Sequence, residues 1–562
     1  MTSKTANKVR INCRRANCAV AWLLCTSLAA TAAAPDVKHF YPAGAKRGTT
    51  TVVNVVGKLG EQRVFAWCSR DDVQVAITPK ANEFKVTTPP NAAPGVCWIR
   101  LYDAEGASAV RPFVVGLHPE LQETEPNNWL KQAHQLDSHT IVVNGRLSTN
   151  EDVDTFAVNL SAGQTLVASM TANRVLGSPM DALLQIVSAD GFVLEQNDDD
   201  QEFDPRIVFT APADGKYFVR TFAFPAQPNQ SIRFHSSAQN IYRLTLTTGP
   251  FIDHTWPLAV DSGAASQIAL RGWNLDDSFN NFPLGGPISG DNFHVFDPRI
   301  ANTVRVPVVP HPVAIEPHAE ASSITHEIPV TISGRIAEPG EIDEHIFAAV
   351  KGQKLVFEVE SRSIGHPLDP VLMLLGPDGK TLGESDDVSR GSEDATLSYQ
   401  VGVDGQYRIR VFDRFGNGGF RYVYRLTATH AQPAVELTVA ANSFTLPADK
   451  PLEIEVKLNR TNGFADELAI TAVDLPAGVN ATPAASAKDG DTSKSVKLTL
   501  QAGEGIATPG TFRIVATTSG EDSSEFAANS QLSAFNAKIS KFWLNVPNPK
   551  LPKYPVEAQR PE

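Results

Sequence analysis

The chain matches itself. Shifted by 188 to 190 residues, Gly145, Asp154, Gly163 and Gln164 fall on Gly334, Asp343, Gly352 and Gln353. The match continues through Asp181/Asp369, the Asp-Gly pairs at 190–191 and 378–379, and the Asp-Asp pairs at 198–199 and 386–387. It closes with Asp204/Asp394, Asp214-Gly215/Asp404-Gly405, Tyr217/Tyr407 and Arg220/Arg410. A shift that holds over so many positions means that one fold is present twice.

A shorter match precedes each copy. Pro42, Gly48 and Gly57 recur 215 residues later as Pro257, Gly263 and Gly272. The unit is a short leading domain followed by a longer one, and a different segment begins at about residue 432. The expected division is a leader at 1–32, domains at 35–117, 118–248, 249–315, 316–431 and 432–548, and an extended proline-rich tail at 549–562. A chain of 562 residues needs several domains, because single cores stop growing near ~250 residues.

Local pattern predicts strands nearly throughout. Leu355, Phe357 and Val359 alternate with other residues, as do Tyr407, Ile409 and Val411, and Leu452, Ile454, Val456 and Leu458. Asp-Gly pairs between such runs supply the positive φ of tight turns. With 38 Gly, 39 Pro and only 4 Met, composition favours short strands and turns over helix bundles. The expected class is all-β, with five β-sandwich domains in tandem forming a semi-rigid rod.

The first 32 residues predict an export signal that is cleaved. Lys4, Lys8, Arg10, Arg14 and Arg15 form an acid-free basic stretch, Ala19 to Leu28 is apolar, and Ala30-Thr31-Ala32 is a small-x-small cleavage site. Removing those five cations takes the net charge from −13 to −18. Such an acidic chain repels nucleic acid and anionic lipid, and its carboxylates suit hard cations. No apolar run reaches the ~18 residues of a membrane helix, so membrane insertion of the mature chain is not expected. Cys68 and Cys97 are the cysteines left after cleavage, and an oxidising compartment favours a disulfide between them.

The longer domain resembles the bacterial pre-peptidase C-terminal (PPC) domain, a jelly-roll-like β-sandwich usually appended to secreted peptidases and other exported proteins. The resemblance rests on ETEPNN at 123–128, DVDTF at 152–156, AGQTL at 162–166, DGFVLEQNDDD at 190–200 and PADGKYFVR at 212–220. The second copy keeps KGQKL at 351–355, GPDGKTLGESDD at 376–387 and GVDGQYRIRV at 402–411. It departs at the entrance, where EPHAE at 316–320 replaces EPNN, and His345 stands in place of Phe156. The leading domains are similar to Ig-like domains of the IPT/TIG type, through FYPAGAKRGTTTVVNVVGKLG at 40–60 and ALRGWNL at 269–275. The last domain, with NRTNGFADELAI at 459–470 and DLPAGVNA at 474–481, resembles another bacterial Ig-like domain.

Some PPC-like domains, the collagen-binding domains of bacterial collagenases among them, bind calcium near their amino-terminal linker. Carried over, that implies a calcium site at Glu123, Glu125, Asn127, Asp152 and Asp154. Ca²⁺ takes six to eight oxygens, and four carboxylates with an amide carbonyl supply most of them. The alternative is that Asn127 and Asn128 turn the chain while the acids are solvated. In the second copy the candidates are Glu316, Glu320, Asp343 and Glu344. The run Asn197–Asp200 with Asp204 offers the oxygens of a second cation site but lacks EF-hand spacing, and is expected to be a solvated hairpin connection.

No catalytic motif emerges. His326-Glu327 opens like a zinc-protease helix, but Val330 stands where the second histidine belongs. There is no G-x-S-x-G elbow, phosphate-binding loop, C-x-x-C pair or subtilisin-like catalytic segment. Paired carboxylates for glycoside hydrolysis stay open, because their spacing exists only in three dimensions. The sequence points to a secreted or periplasmic, non-catalytic binding or adhesion protein, with or without retention at the cell surface. Its expected partner is extracellular polysaccharide or matrix or cell-surface protein. The alternative is an accessory subunit of a separate secreted peptidase or other hydrolase.

Overall fold

The computed structural model describes residues 34–59, 63–227, 233–263, 267–284, 292–316, 325–389, 392–447, 449–503, 508–519, 523–535 and 537–546. The expected leader and the tail at 549–562 lie outside them. Nearly all regular structure is strand. The described helices are one turn at Asn173–Leu176 and three short 3₁₀ segments. The expected all-β class of tandem β-sandwiches is what the chain adopts.

The two longer modules share one topology. In the first, one sheet orders Glu120–Gln122, Thr140–Arg146, Ile241–Thr247, Thr165–Thr171 and Arg206–Thr210. The facing sheet orders His134–Gln135, Asp154–Leu160, Gly215–Pro225, Met180–Val187 and Val193–Asn197. The second module repeats this strand for strand, from Val313–Ile315 to Ala395–Gln400 and from Thr325–His326 to Thr381–Ser385. Inward-facing positions of both sheets close each core, with Phe156, Leu184, Val219 and Leu244 in the first and Phe347, Leu372, Ile409 and Leu426 in the second.

The repeated polar residues hold turns. Asp214 and Asp404 each accept a backbone N–H from the neighbouring turn, at Ala162 and Lys351, both at 2.7 Å. Gln164 and Gln353 close that same turn by accepting from Ser161 and Val350. Tyr217 and Tyr407 send their hydroxyls four residues back, to the carbonyls of Ala213 and Val403 at 2.8 Å, a device familiar from sandwich corners. Asp204 and Asp394 are buried acceptors for backbone N–H groups at 172–174 and at 361–362. Asp200 is ion-paired to Arg421. The 197–204 segment is therefore not the solvated connection expected of it, although Asp198 and Asp199 are exposed.

The leading modules also match. In each, the first strand bulges, at Val37/His39 and at Ile252/His254. A Cβ at the repeated glycine would lie 2.1 Å from the Asp36 carbonyl oxygen at Gly57, and 2.0 Å from that of Phe251 at Gly272. Both positions therefore exclude a side chain.

The modules do not form the expected rod. The last packs on the first: Trp543 lies 4.8 Å from the Tyr102 ring, and Phe535 lies 5.2 Å from Trp98. Val110, Leu532 and Phe535 form one buried cluster between them, and Arg100 donates to Asn442 at 2.9 Å. The first longer module meets the first leading module through Ala43, Leu176 and Ile241, and the second through Val167, Phe251 and Ala301. Apolar surface left on each short sandwich makes this closure favourable, at roughly 25 cal/mol per Å² removed from water.

Candidate functional site

Five oxygen-bearing residues converge at the entrance of the first longer module. The strand Glu120–Gln122 pairs in parallel with Thr140–Arg146, and the backbone pairing continues where the Glu123 N–H donates to the Asn144 carbonyl. Glu123 Oε1 then accepts the Arg146 N–H at 2.7 Å. From the opposite sheet, Asp154 opens the strand Asp154–Leu160 with its side chain directed inward. Carboxylate oxygens of Glu123, Glu125 and Asp154 all lie within 4.8 Å of one another. Asp152, two residues earlier, is buried and interacts with Glu125.

The partners of these groups leave specific oxygens over. Asp152 Oδ2 accepts from the Ser148 and Thr149 N–H groups, at 2.6 and 2.9 Å, while its Oδ1 is buried with no partner. Asp154 Oδ2 accepts from the Tyr242 hydroxyl at 2.6 Å, and its Oδ1 is likewise buried without one. Asn127 is 0% exposed. Its N–H donates to Glu125 Oε2 at 2.9 Å, yet neither atom of its side-chain amide has a partner. Buried polar atoms are nearly always satisfied, and three oxygens without a partner among the described residues lie here with a carboxylate cluster, a donor set made of hard oxygens only.

The electrostatics agree. Burial, reinforced by the charges of Glu125 and Asp152, pushes Glu123 up to about 7, and burial with the charge of Glu123 pushes Asp154 well above the usual carboxylate range. Burial and the charge of Asp152 raise Glu125 as well. Like charges this close hold protons unless a cation neutralises them.

The second longer module reproduces part of this arrangement. Glu316 accepts the Arg335 N–H at 2.9 Å, as Glu123 accepts that of Arg146. Asp343 accepts from the Tyr424 hydroxyl at 2.8 Å. Burial first, then mutual repulsion, raises Glu316 to about 9, and burial raises Asp343 to about 6. Two sequence readings need correction here. Glu344 is not part of the cluster, because it points to Arg408 and Arg410 on the outer face. Glu341, which the sequence reading passed over, takes the place of Asp152, accepting the Ala337 and Glu338 N–H groups. The signal was available, since 341 is 152 plus the repeat shift. Glu320 lies outside the described residues.

Cys68 and Cys97 sit on the adjacent strands Phe65–Cys68 and Gly95–Tyr102. Both are free thiols in this structure, in hydrogen-bond contact that lowers Cys68 and raises Cys97. A third cluster, Asp253, His254 and His366, joins the second leading module to the second longer one. Asp253 already binds Arg206 at 3.0 Å and Arg421 at 2.8 Å. Two guanidiniums on the same carboxylate repel a metal ion, so this cluster is an ion-pair junction.

The family comparison falls on the carboxylate site's own module. Residues 152–223 match the family model of the bacterial pre-peptidase C-terminal domain. The match includes Asp152 and Asp154 and begins after Glu123, Glu125 and Asn127. The pre-peptidase C-terminal domain is a non-catalytic module. A probable subtilase-type serine protease of Deinococcus radiodurans is 31% identical over 106 residues, which is 19% of this chain and 14% of that relative. The chain thus spans a small part of the relative's length. Among solved structures, the fibronectin(III)-like modules of Clostridium thermocellum CbhA align at 10% identity over 41% of this chain and 93% of theirs, with a TM-score of 0.13. The M60 catalytic domain with CBM51 domains of Clostridium perfringens ZmpB aligns at 9% identity over 72% and 55%, with a TM-score of 0.14. Scores this low carry no functional argument. No described helix is long and apolar enough to cross a membrane.

Proposed function

We propose that the chain is an exported, non-catalytic binding protein whose pre-peptidase C-terminal module holds a calcium ion among Glu123, Glu125, Asn127, Asp152 and Asp154. The observation that carries this reading is the set of buried, partnerless oxygens on Asn127, Asp152 and Asp154 beside two further carboxylates. All donors are hard oxygens, which selects calcium over softer metals. The ion ties the segment at 123–127 to the strand Asp154–Leu160 of the opposite sheet, so it sets how the entrance of the module is presented to a surface. The second longer module, with the same strand order, is read as a second copy, and two presenting modules raise avidity. The expected disulfide is not formed in this structure, but the free thiols of Cys68 and Cys97 are in hydrogen-bond contact and would close it in an oxidising compartment.

The test is retention of the mature chain on insoluble polysaccharides, collagen and intact cells, with calcium or with EDTA. Retention abolished by EDTA supports both parts. Retention indifferent to EDTA removes the calcium part, and no retention on any of them removes the binding part. A second reading, an accessory subunit docking a secreted peptidase, is favoured by the match to a subtilase-type protease. Co-purification of an exported hydrolase with the native chain tests it.

A further inference from the structure

Because the modules close on one another, they enclose a cavity that none possesses alone. An outer chamber of about 710 Å³ is walled by all five modules. An inner chamber of about 490 Å³ adjoins it, and Arg174 and Arg305 line both. Sites of this size at domain junctions are where small ligands are commonly held.

The chambers carry the opposite charge to the chain around them. The protein has a net charge of −13, yet among the described residues lining the outer chamber there is no carboxylate, whereas Arg174, Arg243, Arg305 and Lys538 are all present. Arg243 is answered by Glu120, and Lys538 by Glu436. The side chain of Arg174 donates to a neutral acceptor, the Ser363 carbonyl, at 2.9 Å. Arg305 is exposed and makes no ion pair among the described residues. In the inner chamber, Arg425 is buried with Nε and Nη2 on Glu360, at 2.9 and 2.6 Å, and its Nη1 is buried with no partner. The carboxylate of the inner wall, Asp253, is saturated by Arg206 and Arg421.

The remaining lining suits a hydroxyl-rich ligand. Thr171, Thr245, Thr303 and Asn302 line both chambers, and Trp98 stands in the outer wall. Hydroxyl and amide groups match sugar hydroxyls, an indole offers a stacking face, and guanidiniums bind oxyanions in a fork.

We propose that this junction cavity binds an acidic oligosaccharide, with Arg174 and Arg305, which line both chambers, receiving its carboxylate or sulfate groups. The inference rests on reading the chain as a binding protein and locates one binding site for it. Calorimetry on the full mature chain in EDTA tests it, with trigalacturonate, a heparin-derived tetrasaccharide, neutral maltotriose and a hexaglutamate peptide. Saturable binding of at least one anionic sugar is expected, with the first two arms telling carboxylate from sulfate. Binding weakens with salt, falls roughly tenfold in R305A, and is absent for maltotriose. R305A alters an exposed side chain and leaves the melting profile unchanged, so its loss of binding is not a folding defect. The proposal is overturned if neither anionic sugar binds, if R305A binds as the parent does, if maltotriose binds equally, or if hexaglutamate is preferred. Binding in EDTA alongside calcium-indifferent retention on surfaces would sink the calcium reading and leave this one standing.

Discussion

Tyr242 reaches Asp154 because Gly145 has no side chain. Gly145 and Tyr242 are direct cross-strand partners, and a Cβ on Gly145 would lie 2.0 Å from Cζ of the Tyr242 ring. The ring crosses the glycine and delivers its hydroxyl to Asp154 Oδ2 at 2.6 Å. Gly334 and Tyr424 repeat the relationship in the second longer module, with 2.1 Å to the ring and 2.8 Å to Asp343. The duplicated glycine is therefore a requirement of the carboxylate site.

Substituting Gly145→Ala is expected to displace the ring and cost about 1–3 kcal/mol, the usual range for overpacking. Denaturant unfolding of the variant should show it. An unchanged midpoint would mean that the ring moves freely and that the glycine serves another purpose.

Calcium should compete with protons at the first site. Glu123 is raised to about 7 and Asp154 well above the usual carboxylate range, so binding at pH 6 releases protons and affinity rises as pH approaches 8. Proton release measured by calorimetry in two buffers checks this. Asp154→Asn should abolish both the release and the calcium-induced rise in melting temperature.

The second longer module should respond to pH by itself. A carboxyl whose folded pKa is raised stabilises the fold below its unfolded value, and that contribution is lost as pH rises through the folded one. For Glu316, raised to about 9 by burial and by Asp343, the loss spans pH 4.5 to 9. Thermal melts in EDTA across that window should decline, and Glu316→Gln should flatten the decline.

Asp253 predicts the reverse. Burial works to raise it, but His254, Arg421, His366 and Arg206 outweigh burial and hold it far below the usual range. Its contribution is present above pH ~4 and lost on acidification. Asp253→Ala leaves two guanidiniums without their shared carboxylate and should cost about 3–5 kcal/mol, read as a lower unfolding midpoint at pH 7.

The closed arrangement is measurable in solution. Small-angle scattering of the mature chain should give a maximum dimension well short of five sandwiches laid end to end. Replacing Phe535 and Trp543 together by Ala removes the aromatic contacts with Trp98 and Tyr102 and should lengthen the particle. A parent chain that already scatters as a rod would refute the closure.

The sequence by itself determined the all-β class, the duplicated unit, and the segments that supply the carboxylate site. Each of these is written in local spacing: alternation for strands, Asp-Gly for turns, and a constant shift for the repeat. Glu341 was legible by that same shift, whereas Tyr242 carried no local sign, because its role depends on standing opposite Gly145 on a partner strand. The charge answering Asp200, the closure of the last module on the first, and the basic cavity at their junction were decided by tertiary structure alone. Arg421 is 221 residues from Asp200 and Asn442 is 342 from Arg100. Contacts at such separations arise from whole sandwiches burying their leftover apolar faces against each other, and no pattern of neighbouring residues records which faces will meet.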